Sequence, residues 1–184
     1  MKLLSILPNY SINSKNLSVT KIKIALIQTG GTIDKDYPKS TKGWAFEIHD
    51  PAFKRILKKI NPSFEYELVT AFKKDSLEIT EEDRSALHCL IEELECEKVI
   101  VTHGTDTMAE TAKFLSNKNT KTVIITGAMR PERFANTDAD VNLGMALAAV
   151  QTLPAGIFIC MHGLVIPANK IGRDMKTGQY LKIE

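Results

Sequence analysis

No apolar run in this 184-residue chain approaches the roughly 20 residues that carry a helix across a bilayer, so no membrane partner is expected. Strong charge of either sign is also missing. Twenty-four Lys and Arg stand against 22 Asp and Glu, a formal net charge of +2. No basic run exceeds two residues, as at Lys58-Lys59 and Lys73-Lys74. That balance removes the electrostatic footprint expected of a nucleic-acid-binding protein. Cysteine is scarce: Cys89, Cys96 and Cys160 are odd in number and match no metal-binding spacing. Cys89 and Cys96 lie in a helical pattern and are expected to share one face as small core residues. Such usage suits a reducing cytoplasm. The apolar start, Leu3 to Leu7, is broken by Ser5 and stopped by Pro8. No small-residue cleavage site follows, so it does not read as a signal peptide. Internal repeats and low-complexity blocks are lacking as well.

What is present is enough apolar sequence, 43%, to fill one core at this length. Residues 1–20 are expected to form a loosely ordered extension, because Asn9 to Thr20 is rich in Asn and Ser. Residues 21–184 are expected to form a single domain. Ile22 to Gln28 is almost continuously apolar, as in a strand covered on both faces. Asp34 to Asp50 has no helical period and predicts a long loop, with room for a hairpin, that could act as a lid. Asp50-Pro51 predicts a helix start, with Asp50 as cap and Phe53, Ile56, Leu57 and Ile60 on one face. A strand is expected over Glu65 to Phe72. The capping box Thr80-Glu81-Glu82-Asp83 predicts a helix to about Glu95. Strands follow at Lys98 to Thr102, Thr122 to Thr126 and Gly156 to Met161. A helix running through Leu115 and one from Thr137 or Asp138 to about Gln151 separate them. This alternation predicts an α/β fold: a parallel sheet with helices on both faces, of the Rossmann-like or flavodoxin-like kind.

The chemistry-bearing residues sit where such strands end. Thr29-Gly30-Gly31-Thr32, Asp75-Ser76, His103 to Thr107, Thr126 to Arg130 and His162-Gly163 each follow a strand. Ligands of open α/β sheets bind at the carboxyl ends of the strands, so these turns should converge. The first turn is not a Walker loop, since no Gly-Lys-Ser/Thr follows, and the GxGxxG fingerprint is absent. A hydroxyl nucleophile beside flexible backbone is the alternative. Such a hydroxyl needs a polar relay, which Thr105-Asp106 could supply. The bland readings are that Thr32 shapes a turn, Asp106 caps a helix, Ser76 closes a turn, and His103 and His162 pack.

Gln28-Thr29-Gly30-Gly31-Thr32-Ile33 and Thr102-His103-Gly104-Thr105-Asp106-Thr107-Met108 resemble the two signatures of bacterial-type L-asparaginases. Gly127-Ala128-Met129-Arg130-Pro131, Asp138, Asn142-Leu143 and Asp75-Ser76 extend the resemblance in order and spacing, over about residues 22 to 180. It covers the family's N-terminal domain. The resemblance implies amide hydrolysis with Thr32 as nucleophile and Thr105 and Asp106 as the relay. It implies that Gly31, Gly104, Asp75 and Ser76 border the substrate, a small amide or amino acid, and that Asp106 holds its ammonium group. No metal and no organic cofactor are implied. Two departures stand out. The chain is expected to lack the family's second domain, and a homo-oligomer is expected because a lone domain leaves exposed the surface its relatives cover. Ungapped alignment after Met161-His162-Gly163 places Arg173 where the family has a relay lysine, with Lys170 and Lys176 three residues to either side. Arginine keeps its proton in proteins, so it could hold Asp106 and steady an oxyanion but could not act as a base. Tyr37, Trp44 or Phe46 is expected to supply the lid residue. An alternative function is an amino-acid- or amide-binding domain without chemistry.

Overall fold

A computed structural model describes residues 21–39, 45–116 and 120–184. The expectation for residues 1–20 and the lid candidate Trp44 lie outside the described residues. In chain order the elements are β1 (Lys23–Gly30), β2 (Lys35–Asp36), β3 (Glu47–Ile48), α1 (Ala52–Ile60), β4 (Glu65–Lys74), α2 (Glu81–Glu93), β5 (Lys98–Thr102), α3 (Met108–Ser116), β6 (Thr122–Thr126), α4 (Ala139–Thr152), β7 (Gly156–Met161), β8 (Leu164–Pro167), β9 (Ile171–Arg173) and β10 (Tyr180–Lys182).

The central sheet has the order β4-β1-β5-β6-β7-β8. Its first five strands are parallel and β8 is antiparallel to β7. The five parallel strands therefore run 2-1-3-4-5 in chain order, the flavodoxin-like winding, whose switch point falls between β1 and β5. The continuous apolar runs follow from burial on both faces. Ala25 and Ile27 of β1 pack with Val99, Val101, Val123 and Ile125 under α2 and α3. Ile24 and Leu26 point the other way, with Ile100 and Ile124, under α1 and α4. Each fully buried side chain of this kind contributes on the order of 1.5–3 kcal/mol. A polar residue at any of these positions would break the layer it faces.

The expected parallel strands and helices are present, with several corrections. β1 and β4 each end two residues later than expected, and β1 starts one residue later. α2 does carry its capping box, Asp83 N–H to Thr80 and Thr80 N–H to Asp83, but it ends at Glu93. Cys89 and Cys96 consequently do not share a helix face. Cys89 is exposed, and Cys96 is buried beyond the helix end, where its thiol donates to Glu67 at 2.9 Å. α1 is capped not by Asp50 but from a distance: Pro51 occupies the cap position, and the Ala52 N–H donates to the buried Asp34 carboxylate at 2.7 Å. Strands β8, β9 and β10 are additions. His162 and Gly163 both have positive φ, 53° and 79°. This lets a two-residue turn fold β8 back on β7, as hairpins with the right twist require. The anticipated loop contains the short antiparallel pair β2–β3.

Candidate active site

The turns after β1, β4 and β5 meet because three small residues let backbones approach. Gly31 has φ 82°, and a Cβ there would lie 2.3 Å from the Gly104 nitrogen. A Cβ on Gly104 would lie 2.6 Å from the Ser76 Cβ. No side chain fits at either position, so Gly31, Gly104 and Ser76 form a stack across the three strand ends. Hydrogen bonds lock it. The Gly31 N–H donates to Lys74 O at 3.1 Å, and Thr29 Oγ1 to Thr102 O at 2.8 Å. Asp106 N–H donates to Ser76 Oγ at 3.2 Å, and Thr107 Oγ1 to Ser76 O at 2.6 Å. The fourth strand end joins the same way: a Cβ on Gly127 would lie 2.4 Å from His103 O. Gly127 is held by Asn142, which donates to its carbonyl at 3.0 Å and to Asp138 at 2.9 Å. The Asp138 carboxylate in turn accepts the Met129 and Arg130 N–H groups.

Thr32 opens a short 3-10 turn, Thr32–Asp34, directly after Gly31. Its side chain is half-buried, and its hydroxyl has no partner among the described residues. Thr105 is buried, at 8% exposure. Its hydroxyl is likewise unpartnered among the described residues, while its carbonyl accepts the Tyr180 hydroxyl. Two threonine hydroxyls are thus left available beside a packed glycine stack.

Asp106 is exposed and is met by Arg173, whereas Lys170 and Lys176 are exposed and reach no carboxylate among the described residues. The contact is not a two-oxygen fork. Both terminal guanidinium nitrogens donate to the same Oδ1, at 3.4 and 3.3 Å, and one also donates to the Asp106 carbonyl at 3.3 Å. Arg173 Nε donates to Gly178 O at 3.2 Å, and the guanidinium lies 5.5 Å from the centre of the Tyr180 ring. Asp75 accepts Lys35 Nζ at 2.8 Å and the Leu77 N–H. The lysine beside it holds the Asp75 carboxyl below the usual carboxylate range.

Two buried titratable groups brace these turns. Asp34 is fully buried; it accepts Ala52 N–H, Gln28 Nε2 at 3.0 Å and Thr102 Oγ1 at 3.4 Å. Burial pushes its pKa up to about 6, against the lowering effect of those bonds. His103 is also fully buried, and burial lowers its pKa to about 4. Its Nδ1 faces the Gly104 carbonyl at 2.7 Å, which only accepts, so Nδ1 carries the proton and Nε2 accepts from Thr111 Oγ1 at 2.9 Å. Tyr37, Phe46 and Phe134 form one aromatic cluster with ring centres 5.1–5.7 Å apart.

Sequence reasoning missed Asp34, Tyr180 and Phe134. The signal for Asp34 was an acid two residues after Thr32, inside a buried turn. Tyr180 and Phe134 carry no local signal, because each acts across a large sequence distance.

Residues 23–179 match the sequence profile of the family described as Asparaginase, N-terminal. The chain is 26% identical over 167 residues to a glutaminase-asparaginase of Acinetobacter glutaminasificans, covering 84% of this chain and 50% of that protein. It is 32% identical over 131 residues to an L-asparaginase of Bacillus licheniformis, covering 68% and 40%. It is also 30% identical over 170 residues to a component of the glutamyl-tRNA(Gln) amidotransferase of Methanococcus maripaludis, covering 85% and 39%. Among solved structures, the thermostable L-asparaginase from Thermococcus kodakarensis superimposes with a TM-score of 0.76 at 25% identity, covering 88% of this chain and 51% of that one. A probable cytoplasmic L-asparaginase from Campylobacter jejuni gives 0.71 at 28% identity, covering 88% and 53%. The chain thus spans about half or less of the length of the curated relatives it matches.

Proposed function

The chain belongs to the asparaginase family, whose N-terminal domain it carries, and on that premise we propose that it is an amidohydrolase that converts L-asparagine or a related small amide to the acid and ammonia. The observation that carries the reading is the pair of hydroxyls, Thr32 and Thr105, that have no partner among the described residues and lie beside the Gly31–Gly104–Ser76 stack at the β1/β5 switch point. In this reading Thr32 Oγ attacks the amide carbon and its proton passes through the Thr105 hydroxyl. Asp106 Oδ2, the carboxylate oxygen that Arg173 leaves unbonded, receives that proton. The C–N bond then breaks, ammonia leaves with a returned proton, and water hydrolyses the threonyl ester. Gly31, Gly104, Asp75 and Ser76 border the substrate, and Arg173 fixes Asp106 rather than taking a proton itself. The same reading places the protein in the cytoplasm, in keeping with three unpaired cysteines, and has it self-associate as a dimer or larger.

A second reading has a specific observation behind it. Arg173, the cation beside Asp106, cannot give up its proton and so cannot serve as the relay base, as befits a domain that binds an amide without hydrolysing it. Ammonia release by the purified chain separates the two. Turnover that is abolished, by roughly 1000-fold, in Thr32→Ala is the expected result. Silence of the wild type with every small amide, while the acids still raise its melting temperature, would establish the binding reading.

A further inference from the structure

Thr32 shares its short 3-10 turn with Asp34, a fully buried carboxyl group that the proposed chemistry does not use. Backbone bonds close the turn on itself: Asp34 N–H donates to Gly31 O, and Lys35 N–H to Thr32 O. Ile33 O accepts the Glu132 N–H at 3.2 Å. The Asp34 carboxylate adds the links to α1, β1 and β5. Its Oδ1 accepts the Ala52 N–H, at the start of α1, at 2.7 Å. Its Oδ2 accepts Gln28 Nε2 at 3.0 Å and faces Thr102 Oγ1 at 3.4 Å. The Gln28 amide has a fixed sense. Its Nε2 also donates to His49 O at 2.9 Å, a carbonyl that can only accept, and its Oε1 accepts Thr70 Oγ1 at 3.0 Å.

The two protonation states of Asp34 hold the turn differently. Burial raises the carboxyl pKa to about 6, against the Ala52 N–H, the Gln28 amide, Arg55 and the Thr102 hydroxyl, which favour the ionised form. A proton on Oδ2 reverses the Thr102 hydroxyl, which then accepts from Asp34 and donates to Ile27 O, 3.5 Å away. The Ala52 N–H is left on a neutral acid, which holds it about half as strongly as a carboxylate does. The other charged groups around the turn are engaged elsewhere. Arg55 and Lys59 bind Glu132, Lys35 binds Asp75, and Arg133 binds Asp36. The His49 ring faces Tyr37 O and Glu47, and the His103 ring faces Gly104 O and Thr111. Asp50 and Lys54, at the start of α1, are exposed.

We infer that Asp34 is a positioning residue for Thr32: its ionised carboxylate holds the Thr32 turn against α1, β1 and β5, and uptake of a proton there slackens the turn and slows turnover. The inference rests on the amidohydrolase reading and adds control of the same site by a group sealed from solvent.

The test follows Thr32 and turnover together across pH. The Thr32 methyl resonance and the Asp34 carboxyl carbon resonance are recorded between about pH 4 and pH 8 in the wild type, Asp34→Asn and Gln28→Met, and kcat and KM for L-asparagine are measured over the same range. In the wild type both resonances should titrate together near pH 6, and kcat should fall about tenfold from pH 7 to pH 5 with KM unchanged. Asp34→Asn keeps one acceptor oxygen and sets its Nδ2 against Gln28 Nε2, donor against donor. Its Thr32 resonance and kcat should both lose the titration, with kcat fixed at about a tenth of the neutral wild-type value. Gln28→Met removes a donor to the ionised form and should move both midpoints to higher pH, which keeps the coupling readable should Asp34→Asn not fold. A Thr32 resonance that ignores the Asp34 titration, a kcat limb that survives in Asp34→Asn, or a change carried by KM instead of kcat overturns the inference. Absence of ammonia at every pH, with Thr32 still following Asp34, leaves the positioning standing and overturns the amidohydrolase reading alone.

Discussion

Asp34 shows what burial does to a single carboxyl group. Its folded pKa of about 6 lies above the ordinary 3.8, because lost hydration outweighs the bonds from Ala52 and Gln28. A raised carboxyl pKa means that the folded state holds a proton the unfolded state has released. The group's contribution is therefore fully present below about pH 4 and is lost as pH rises through 6. His103 works in the opposite direction over an overlapping window. Its pKa falls from 6.5 to about 4, so its contribution is lost as pH falls. The wild-type curve is the difference of the two, and only a variant separates them. Asp34→Asn should abolish the Asp34 component. The stability gap between wild type and variant should then narrow by on the order of 2–3 kcal/mol between pH 4 and pH 7. Urea denaturation at the two pH values measures it, and an unchanged gap would refute the assignment. The position of this residue was legible, but its role was not. Nothing local in Thr32-Ile33-Asp34 says that the N-terminus of α1, 18 residues on, folds over the carboxylate.

Among the elements, the β9–β10 hairpin illustrates the limit of pattern reading. Each strand has three residues, too short for alternation to register. Its role comes from what it touches. Tyr180 is buried, its hydroxyl donates to the Thr105 carbonyl, and its ring lies under the Arg173 guanidinium. Burial also pushes the Tyr180 hydroxyl pKa up to about 12, so it remains a donor at neutral pH. Tyr180→Phe removes the donor and leaves a buried carbonyl unsatisfied, which should cost about 1–2 kcal/mol. It should also slow ammonia release several-fold by loosening Thr105 and Arg173. Thermal denaturation and steady-state rates check both parts, and a variant matching wild type in each would show that the hairpin does not position the site. By contrast, the α2 capping box and the buried strands β1, β5 and β6 were legible. Their signals are local: a side chain bonding three residues away, or an unbroken apolar run.

At the scale of the whole molecule, the 2-1-3-4-5 winding brings the ends of β1 and β5 together at the switch point, while helices cover both faces of the sheet. A stretch of the described surface beside α4 is apolar. Met145, Ala148, Leu153 and Val165 line an open groove of about 310 Å³ between α4 and β8, and Val141 farther along α4 is 61% exposed. Apolar surface of this kind favours association. Sedimentation equilibrium at micromolar concentration should report a dimer or larger species, and a monomer at every concentration would remove self-association from the proposed function. Among the described residues no helix is long and apolar enough to cross a membrane.

Fold class, the order of the main strands and helices, and the turns that carry the candidate site were all legible in the chain read residue by residue. They follow from hydrophobic period, caps and paired glycines, all of which act over a few residues. Ser76, Gly31, Gly104, Thr105, Asp106 and Arg173 stood out as candidates because motif and spacing marked them. Which of them meet, and how, emerges only in three dimensions. The Gly31–Gly104–Ser76 stack exists because two missing side chains let backbones far apart in sequence come within contact distance. The pairing of Asp106 with Arg173 and of Asp75 with Lys35 depends on long side chains reaching across 67 and 40 residues of sequence. Charge compensation of that kind is a property of proximity in space, which no local pattern encodes.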